Sequence, residues 1–391
     1  MDPAGNIRAL TTLSPIVPEH LRELQRRLRL VRYVPGLGRP LTALGFIHYA
    51  GWLIVDGLPP ADGRGGWRSL RWKYLLFEST FDGETGEYLD AFADVLPARI
   101  VRVWRGCFGF EERVMAGRDT HDLPPFAFRE FVLRNRLQVL DVHVGYGTDD
   151  SDYTVPGIRQ AIGMQERIEP RREPRDGVES VLEQLPQTAM MAVSPDPPPP
   201  SLRGRIDALY QPWRRAVLGD YGVNPLVIAV PLQDDDAAQE LARAAGLAPL
   251  LDGMAATGTH FARLAIVPRT MMDLGQPDPD VLDCPYLLYT SNHDGTVYEH
   301  LQALAAHGIA DRMWSRCAGY PGAEDSLAFH AWLNRHRLPT QYYVAGYPPH
   351  SVMDIKRDVR RRRAVAGAYA DVATAPRGPA PAQLLDRWRR G

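Results

Sequence analysis

Two histidines stand at the same place in two similar stretches of the chain. His48 opens "HYAGWLIV", and His260 opens "HFARLAIV" 212 residues later. A neutral imidazole can bind a metal ion, and it exchanges protons near neutral pH. A specialised active site rarely needs both copies of a residue, so the repetition favours a buried, hydrogen-bonded role for both histidines over a role as ligand or acid/base group.

Positions that differ between the two stretches are stronger candidates for chemistry. His330 adjoins Phe329 and lies near Trp332 on a predicted helix, and apolar walls beside an imidazole are typical of an axial haem ligand. We therefore predict His330 as the metal ligand and cofactor-binding residue, with His260 as runner-up. A partly exposed helix histidine is the alternative. Among the other histidines, His143, His293 and His336 stand opposite a different residue type and are further candidates.

Charged residues complete the candidate set. Arg263 replaces Gly51 and could hold a carboxylate, such as a haem propionate or a substrate group, or form an ion pair. Asp82 and Asp294 each precede a glycine, a pattern that predicts caps or turns for the helix that follows, with catalysis as the alternative. The predicted catalytic residues are His260, Arg263 and Asp294, and Arg263 also counts as cofactor-binding.

The duplication extends beyond these residues to most of the chain. "KYLLFESTFDG" matches "PYLLYTSNHDG", and "RVWRGCFGF" matches "RMWSRCAGY". Each repeat shows the periodicities of a β-α-β-β-α-β order with an extra helix before the last strand. This order predicts an α+β fold of two tandem ferredoxin-like units, each an antiparallel sheet with helices on one face. The open sheet faces would cover each other as a pseudo-dimeric α/β barrel.

Composition changes mark the boundaries between these units. The stretch "SPDPPPPSLRGR" is dense in proline, which is typical of an extended connection. We predict a first unit at 8–147, a proline-rich connection with short helices at 148–224, a second unit at 225–350, and a C-terminal helix and tail at 351–391.

The tandem arrangement resembles the dimeric α/β-barrel superfamily, which includes dye-decolourising peroxidases and chlorite dismutase-like proteins. The stretches "STFDG" and "SNHDG" correspond to the peroxidases' Gly-x-x-Asp-Gly signature, with serine at the first position. This resemblance implies a haem held between sheet and helices in one unit. Other branches of the superfamily are cofactor-free monooxygenases and cyclases.

Composition limits the classes of partner. A formal net charge of -2 gives no general attraction to nucleic acid, and no apolar run is long enough for a membrane span. The N-terminus lacks a secretory signal pattern, which predicts a cytoplasmic protein. The expected partner is a small-molecule substrate, and the duplication is compatible with a homo-oligomer.

These observations together predict a haem-dependent oxidoreductase, of peroxidase or oxygenase type, that acts on a small organic substrate. The first alternative needs no cofactor: a monooxygenase or cyclase of the same superfamily, in which His48, His143 or His260 moves protons. The second alternative is a non-catalytic ligand-binding or assembly protein. Fold class does not choose among the three.

Overall fold

A computed structural model gives the architecture of the chain. It describes residues 7–33, 41, 44–60, 66–146, 151–168, 223–271, 273–348 and 350–372. Most of the predicted proline-rich connection and the C-terminal tail lie outside these residues.

The described strands occur in both repeats. They are β1 (Ile7–Ile16), β2 (Ile47–Leu58), β3 (Arg68–Asp82), β4 (Gln138–Val144), β5 (Val223–Pro231), β6 (Thr259–Val267), β7 (Tyr286–Asp294), β8 (Arg337–Leu338) and β9 (Tyr342–Ala345).

The α-helices include those predicted for each repeat, with one before its last strand. The α-helices are α1 (Pro18–Tyr33), α2 (Thr85–Val95), α3 (Pro97–Trp104), α4 (Pro125–Arg134), α5 (Val155–Ile168), α6 (Asp235–Leu247), α7 (Val297–Ala306), α8 (Ile309–Trp314), α9 (Ser326–His336) and α10 (Val352–Val372). The short helices α3 and α8 were not predicted.

The strands form two antiparallel sheets, which confirms the mixed α+β class. The order is β1-β3-β2-β9 in the first sheet and β4-β6-β7-β5-β8 in the second. Strand β9 pairs with β2, and β4 pairs with β6, so each repeat gives its last strand to the sheet of the other repeat. An isolated ferredoxin-like unit would keep that strand in its own sheet. In the described part of the chain, the two sheets are not joined into a closed barrel.

Each sheet is covered on both faces. All of β6 is buried, because its alternate side chains point to opposite sides of the sheet. Leu264 packs in a cluster with the helices of the second repeat. Ala265 belongs instead to a cluster that joins the sheets, where Leu13 and Leu76 of the first sheet meet Leu288 of the second. The sheets therefore pack face to face, and the helices lie outside them.

Two glycines end the exchanged strands. The Gly145 N–H donates to the His260 carbonyl and the Gly346 N–H to the His48 carbonyl, each at 2.7 Å. A Cβ at either glycine would overlap a backbone carbonyl oxygen of the neighbouring strand. These positions need glycine because the two backbones approach so closely.

Helices α5 and α10 pack against each other beyond the ends of the exchanged strands. Arg361 of α10 donates to the Gln165 side chain of α5 at 2.9 Å. The stretch predicted as a C-terminal helix contains α10. In the described residues we find no helix with the length and apolar character needed to cross a membrane.

Candidate functional site

A chain of buried hydrogen bonds crosses the centre of the molecule. Asp82 Oδ1 lies 2.9 Å from His48 Nε2, and His48 Nδ1 lies 3.3 Å from the Tyr347 hydroxyl. The other half of the chain repeats this pattern: Asp294 Oδ1 lies 2.9 Å from His260 Nε2, and His260 Nδ1 bonds to the Tyr146 hydroxyl. The two tyrosine hydroxyls are 3.0 Å apart. We call these six side chains the central relay.

The central relay also determines where two helices start. The second oxygen of Asp82 accepts the Val155 N–H at 2.7 Å, at the first residue of α5, and the second oxygen of Asp294 accepts the Val352 N–H at 3.0 Å, at the first residue of α10. Each aspartate was predicted to cap the helix that follows it directly in sequence. Instead, Thr296 caps α7 through a capping box, and α2 has no side-chain cap.

The relay is enclosed and uncharged at its centre. Both histidines are completely buried, and burial raises the pKa of Tyr146 and of Tyr347 well above the ordinary tyrosine value. Burial also lowers the pKa of His260, although the bond to Asp294 opposes this. The two histidines and two tyrosines are buried and only the aspartates are partly exposed, so the relay fastens the two repeats and their terminal helices together.

Arg263 is buried between the two sheets. Its Nη1 donates to the Leu10 carbonyl at 2.8 Å and to the Ser79 carbonyl at 2.9 Å, and its Nη2 donates to the Thr80 hydroxyl at 2.6 Å. Glu78 is also buried, and the charge of Arg263 partly offsets the rise in the pKa of this carboxyl that burial causes. The protein itself thus uses the donors that we expected to hold a substrate or propionate carboxylate.

The Nε2 atom of each predicted haem ligand is already engaged with a protein side chain. His330 Nε2 lies 3.1 Å from the Gln302 amide nitrogen, and its ring stacks on Tyr298 with centroids 4.3 Å apart. Tyr298 is 60% exposed, so this stack lies on the outer side of α7 and α9. Both ring nitrogens of the runner-up, His260, are bonded within the central relay. As placed in this structure, neither residue fits axial ligation of a haem iron.

His336 and the space between the sheets offer no better haem site. His336 is buried, and its Nδ1 lies 2.7 Å from the Trp332 carbonyl. A cavity between the sheets, lined by apolar side chains such as Leu13, Val55 and Leu288, measures about 10 Å³. That is room for about one water molecule.

A different set of histidines comes together on the helix side of the second sheet. His143 lies on β4, His293 on β7 and His300 on α7, and we call these three the histidine cluster. The rings of His293 and His300 stack with centroids 4.0 Å apart. His300 Nε2 lies 2.9 Å from the Tyr289 hydroxyl. The Ser291 hydroxyl lies 3.2 Å from this nitrogen and 3.3 Å from His293 Nδ1.

The other ring nitrogens of the cluster lack partners. His143 Nε2, His293 Nε2 and His300 Nδ1 are buried without a hydrogen bond to any described residue. The backbone of Thr257 raises the pKa of His300, and that of Thr259 raises the pKa of His143, but neither makes a hydrogen bond of normal geometry with the unpaired nitrogen. Buried polar atoms normally have partners, so three together need an explanation.

The equivalent positions of the first sheet are apolar or aromatic. Phe81 and Tyr88 stack there with centroids 3.7 Å apart, in the places of His293 and His300. Val344 on β9 takes the place of His143, because Val344 pairs with Ala50 as His143 pairs with Ala262. The helix side of the first sheet thus has apolar and aromatic side chains at these positions, whereas the helix side of the second sheet has imidazoles.

Burial keeps the cluster neutral. It lowers the pKa of His143 to about 4, that of His300 to about 3, and that of His293 well below the ordinary histidine value. Lys356 further lowers the pKa of His143, and Arg337 that of His293, since positive charge disfavours imidazolium. At neutral pH each ring therefore keeps one N–H donor and one lone pair.

Sequence comparison of the repeats identified His143 and His293 as unmatched but not as neighbours. His143 was assigned to the first unit, whereas strand exchange places it in the layer of the second sheet. His300 was overlooked because it sits in a matched block, opposite Tyr88. The useful signal was the replacement of aromatic residues by histidine at equivalent positions.

No described group of three or more histidine, cysteine or acidic side chains has the arrangement of a metal site. The chain matches no known protein family model, and no curated protein is significantly similar to it in sequence.

Proposed function

We propose that the chain is a cofactor-independent enzyme that moves a proton on a small organic molecule, and that the histidine cluster is its active site. The observation that carries this proposal is the group of buried ring nitrogens without partners, at positions where the other repeat has Val344, Phe81 and Tyr88. Leaving such groups unpaired costs about 1–3 kcal/mol each, so a bound molecule that pairs with them gains that energy.

The cluster rings are neutral at pH 7, so each has a lone pair for this chemistry, and their lowered pKa values make them weaker bases than a free histidine. A ring with a free lone pair takes a proton from a carbon or hydroxyl acid, and a neighbouring ring N–H donates a hydrogen bond to the oxyanion that forms. The Tyr289 hydroxyl beside His300 keeps that ring in place, and Ser291 contacts both stacked rings. His143 is only half-buried, which gives the cluster an edge toward solvent.

We further propose that the repeats are tandem ferredoxin-like units related to the dimeric α/β-barrel superfamily. Support comes from the β-α-β-β-α-β order of each repeat and from the face-to-face packing of the two sheets. A haem between sheet and helices would need a ligand other than His330 or His260, since both bond to protein groups.

Proton transfer can be tested without knowing the natural substrate. The purified chain would be incubated in D₂O with a panel of small ketones, 1,3-dicarbonyl compounds and phenols, and deuterium in carbon–hydrogen positions would be measured by mass spectrometry. We expect catalysed exchange on at least one class. The triple variant His143→Val, His293→Phe, His300→Tyr carries the residues of the first sheet, and it should lose the exchange while remaining folded.

A matched control separates this proposal from the haem interpretation. His330→Arg introduces the residue that stands opposite it in the first repeat and leaves the histidine cluster intact. We expect this variant to exchange deuterium like the wild type, and neither protein to develop a Soret band with added hemin. Equal exchange by the wild type and the triple variant would overturn the proposed function, and hemin uptake that depends on His330 would favour the peroxidase alternative.

A further inference from the structure

The surroundings of the histidine cluster are basic. The charged side chains that act on His143 and His293 are Lys356 and Arg337, and both carry positive charge. The other groups around the cluster are the His260 ring, the backbone of Thr257 and Thr259, and the hydroxyls of Tyr289 and Ser291. Asp294 and Glu299 adjoin cluster histidines in sequence, but Asp294 bonds to His260 and Glu299 to the Thr296 N–H. None of the described groups that act on the pKa values of the cluster is acidic, so the cluster is an electropositive place with unpaired nitrogens.

Lys356 is unusual within this chain. It is one of two lysines, it is half-buried on α10, and it has no hydrogen-bond or ion-pair partner among the described residues. Arg159 holds the equivalent place in α5, four residues after the helix start, and its Nε donates to the Gly346 carbonyl at 2.7 Å. The protein thus satisfies the guanidinium group of Arg159 with a hydrogen bond. It leaves the ammonium group of Lys356 without such a partner in the part of the chain described, close to His143.

We propose that the histidine cluster and Lys356 together bind a small oxyanion, the carboxylate or phosphate group of the substrate. The ammonium group supplies the charge, and the unpaired ring nitrogens supply directed hydrogen-bond donors once a proton is taken up with the anion. His143 and Lys356 are both half-buried, so the anion enters from the solvent edge of the layer. This inference takes its location from the proposed function, but it does not require turnover.

The experiment uses the full chain labelled with ¹³C and ¹⁵N in histidine. Acetate and inorganic phosphate are titrated separately at constant ionic strength, with chloride as reference, while the imidazole resonances are followed by NMR. We expect a saturable shift of the His143 resonance with one of the two oxyanions, which identifies the group that the site prefers. Binding should tighten as the pH falls from about 7.5 to about 6, because a cluster histidine becomes protonated with the anion.

Lys356→Met should weaken oxyanion binding about 10-fold or more, as expected for loss of a charge-assisted bond. Lys73→Met is the matched control, since Lys73 is the only other lysine and bonds to the Asp56 carbonyl and the Ser69 hydroxyl at a distance from the cluster. Circular dichroism checks that both variants fold. The inference fails if neither oxyanion gives a saturable shift, or if Lys356→Met binds as tightly as Lys73→Met.

The two proposals fail separately. Oxyanion binding that depends on Lys356, without deuterium exchange, would indicate an anion-binding protein and overturn the proposed enzyme function. Deuterium exchange that requires the histidine cluster, with no response to acetate or phosphate, would support the proposed enzyme function and overturn the proposed oxyanion site.

Discussion

Removal of one hydroxyl from the central relay should destabilise the protein far more than removal of another hydroxyl nearby. Tyr146→Phe deletes the group that bonds both to His260 Nδ1 and to the Tyr347 hydroxyl, and it keeps the ring that packs on Tyr153 and Phe261. Tyr49→Phe makes the same chemical change at an equally buried position. The Tyr49 hydroxyl makes one hydrogen bond of normal geometry, of 3.4 Å to the same histidine, and the Tyr146 and Tyr347 hydroxyls lie close enough to affect its pKa.

The expected costs follow from these contacts. Each lost hydrogen bond contributes about 0.5–1.5 kcal/mol, and a buried partner left unpaired adds about 1–3 kcal/mol. Two bonds and an unpaired His260 nitrogen give about 2–6 kcal/mol for Tyr146→Phe. For Tyr49→Phe we expect less than about 1 kcal/mol, because the bond is long and the second repeat already has Phe261 at that position.

Urea unfolding of the two variants and the wild type at pH 7, with equal m-values, measures this difference. The double variant Tyr146→Phe, Tyr347→Phe should cost less than the sum of its single changes, since the two residues share one hydrogen bond. If Tyr49→Phe is as damaging as Tyr146→Phe, or if the cost of Tyr146→Phe is within about 0.5 kcal/mol of zero, the relay does not hold the repeats together as described.

Three other changes test the fold and the cluster. Gly346→Ala should cost about 3 kcal/mol or more in urea unfolding, because its Cβ meets a carbonyl, whereas Gly163→Ala has open space in a helix and should be neutral or stabilising. The pKa of His143 is near 4 in the folded chain and near 6.5 in the unfolded chain, so the folded chain binds fewer protons and its stability falls as the pH drops from 6.5 to 4. His143→Val should remove about 1–3 kcal/mol of this loss of stability. Arg263→Met should cost about 3–5 kcal/mol by leaving Glu78 buried without its cation, and Arg263→Met with Glu78→Gln should recover part of it, as measured by thermal unfolding.

Periodicity and internal repetition predicted the main strands and helices of each repeat in their order, but not the short helices α3 and α8 or the strand β8. They did not predict the exchange of β4 and β9, because either sheet offers an edge with the same backbone donors and acceptors, and strand order along the chain does not specify which edge is used. The roles of Asp82 and Asp294 were missed for a related reason. Each caps a helix that lies far away in sequence, and only the folded chain brings the two together.

The candidate site shows the same limit. The principle that unmatched residues carry chemistry selected His143 and His293 from the sequence, but it also selected His330, which bonds to Gln302 on the outer helices. Neighbouring positions of a repeat can differ because of surface chemistry as easily as because of catalysis. Burial together with an unpaired nitrogen separates the two cases, and both properties need coordinates.

The central relay has a consequence for proton order. Three links join His48 Nδ1 to His260 Nδ1 through two phenols, and the phenols supply two protons. If both histidines give their own N–H to the aspartates, one link must lack a proton, and the pattern is the same on both sides only when that link is the one between the two phenols. A proton missing from either outer link gives the chain a direction, and its two ends already differ by the single hydroxyl of Tyr49 beside His260.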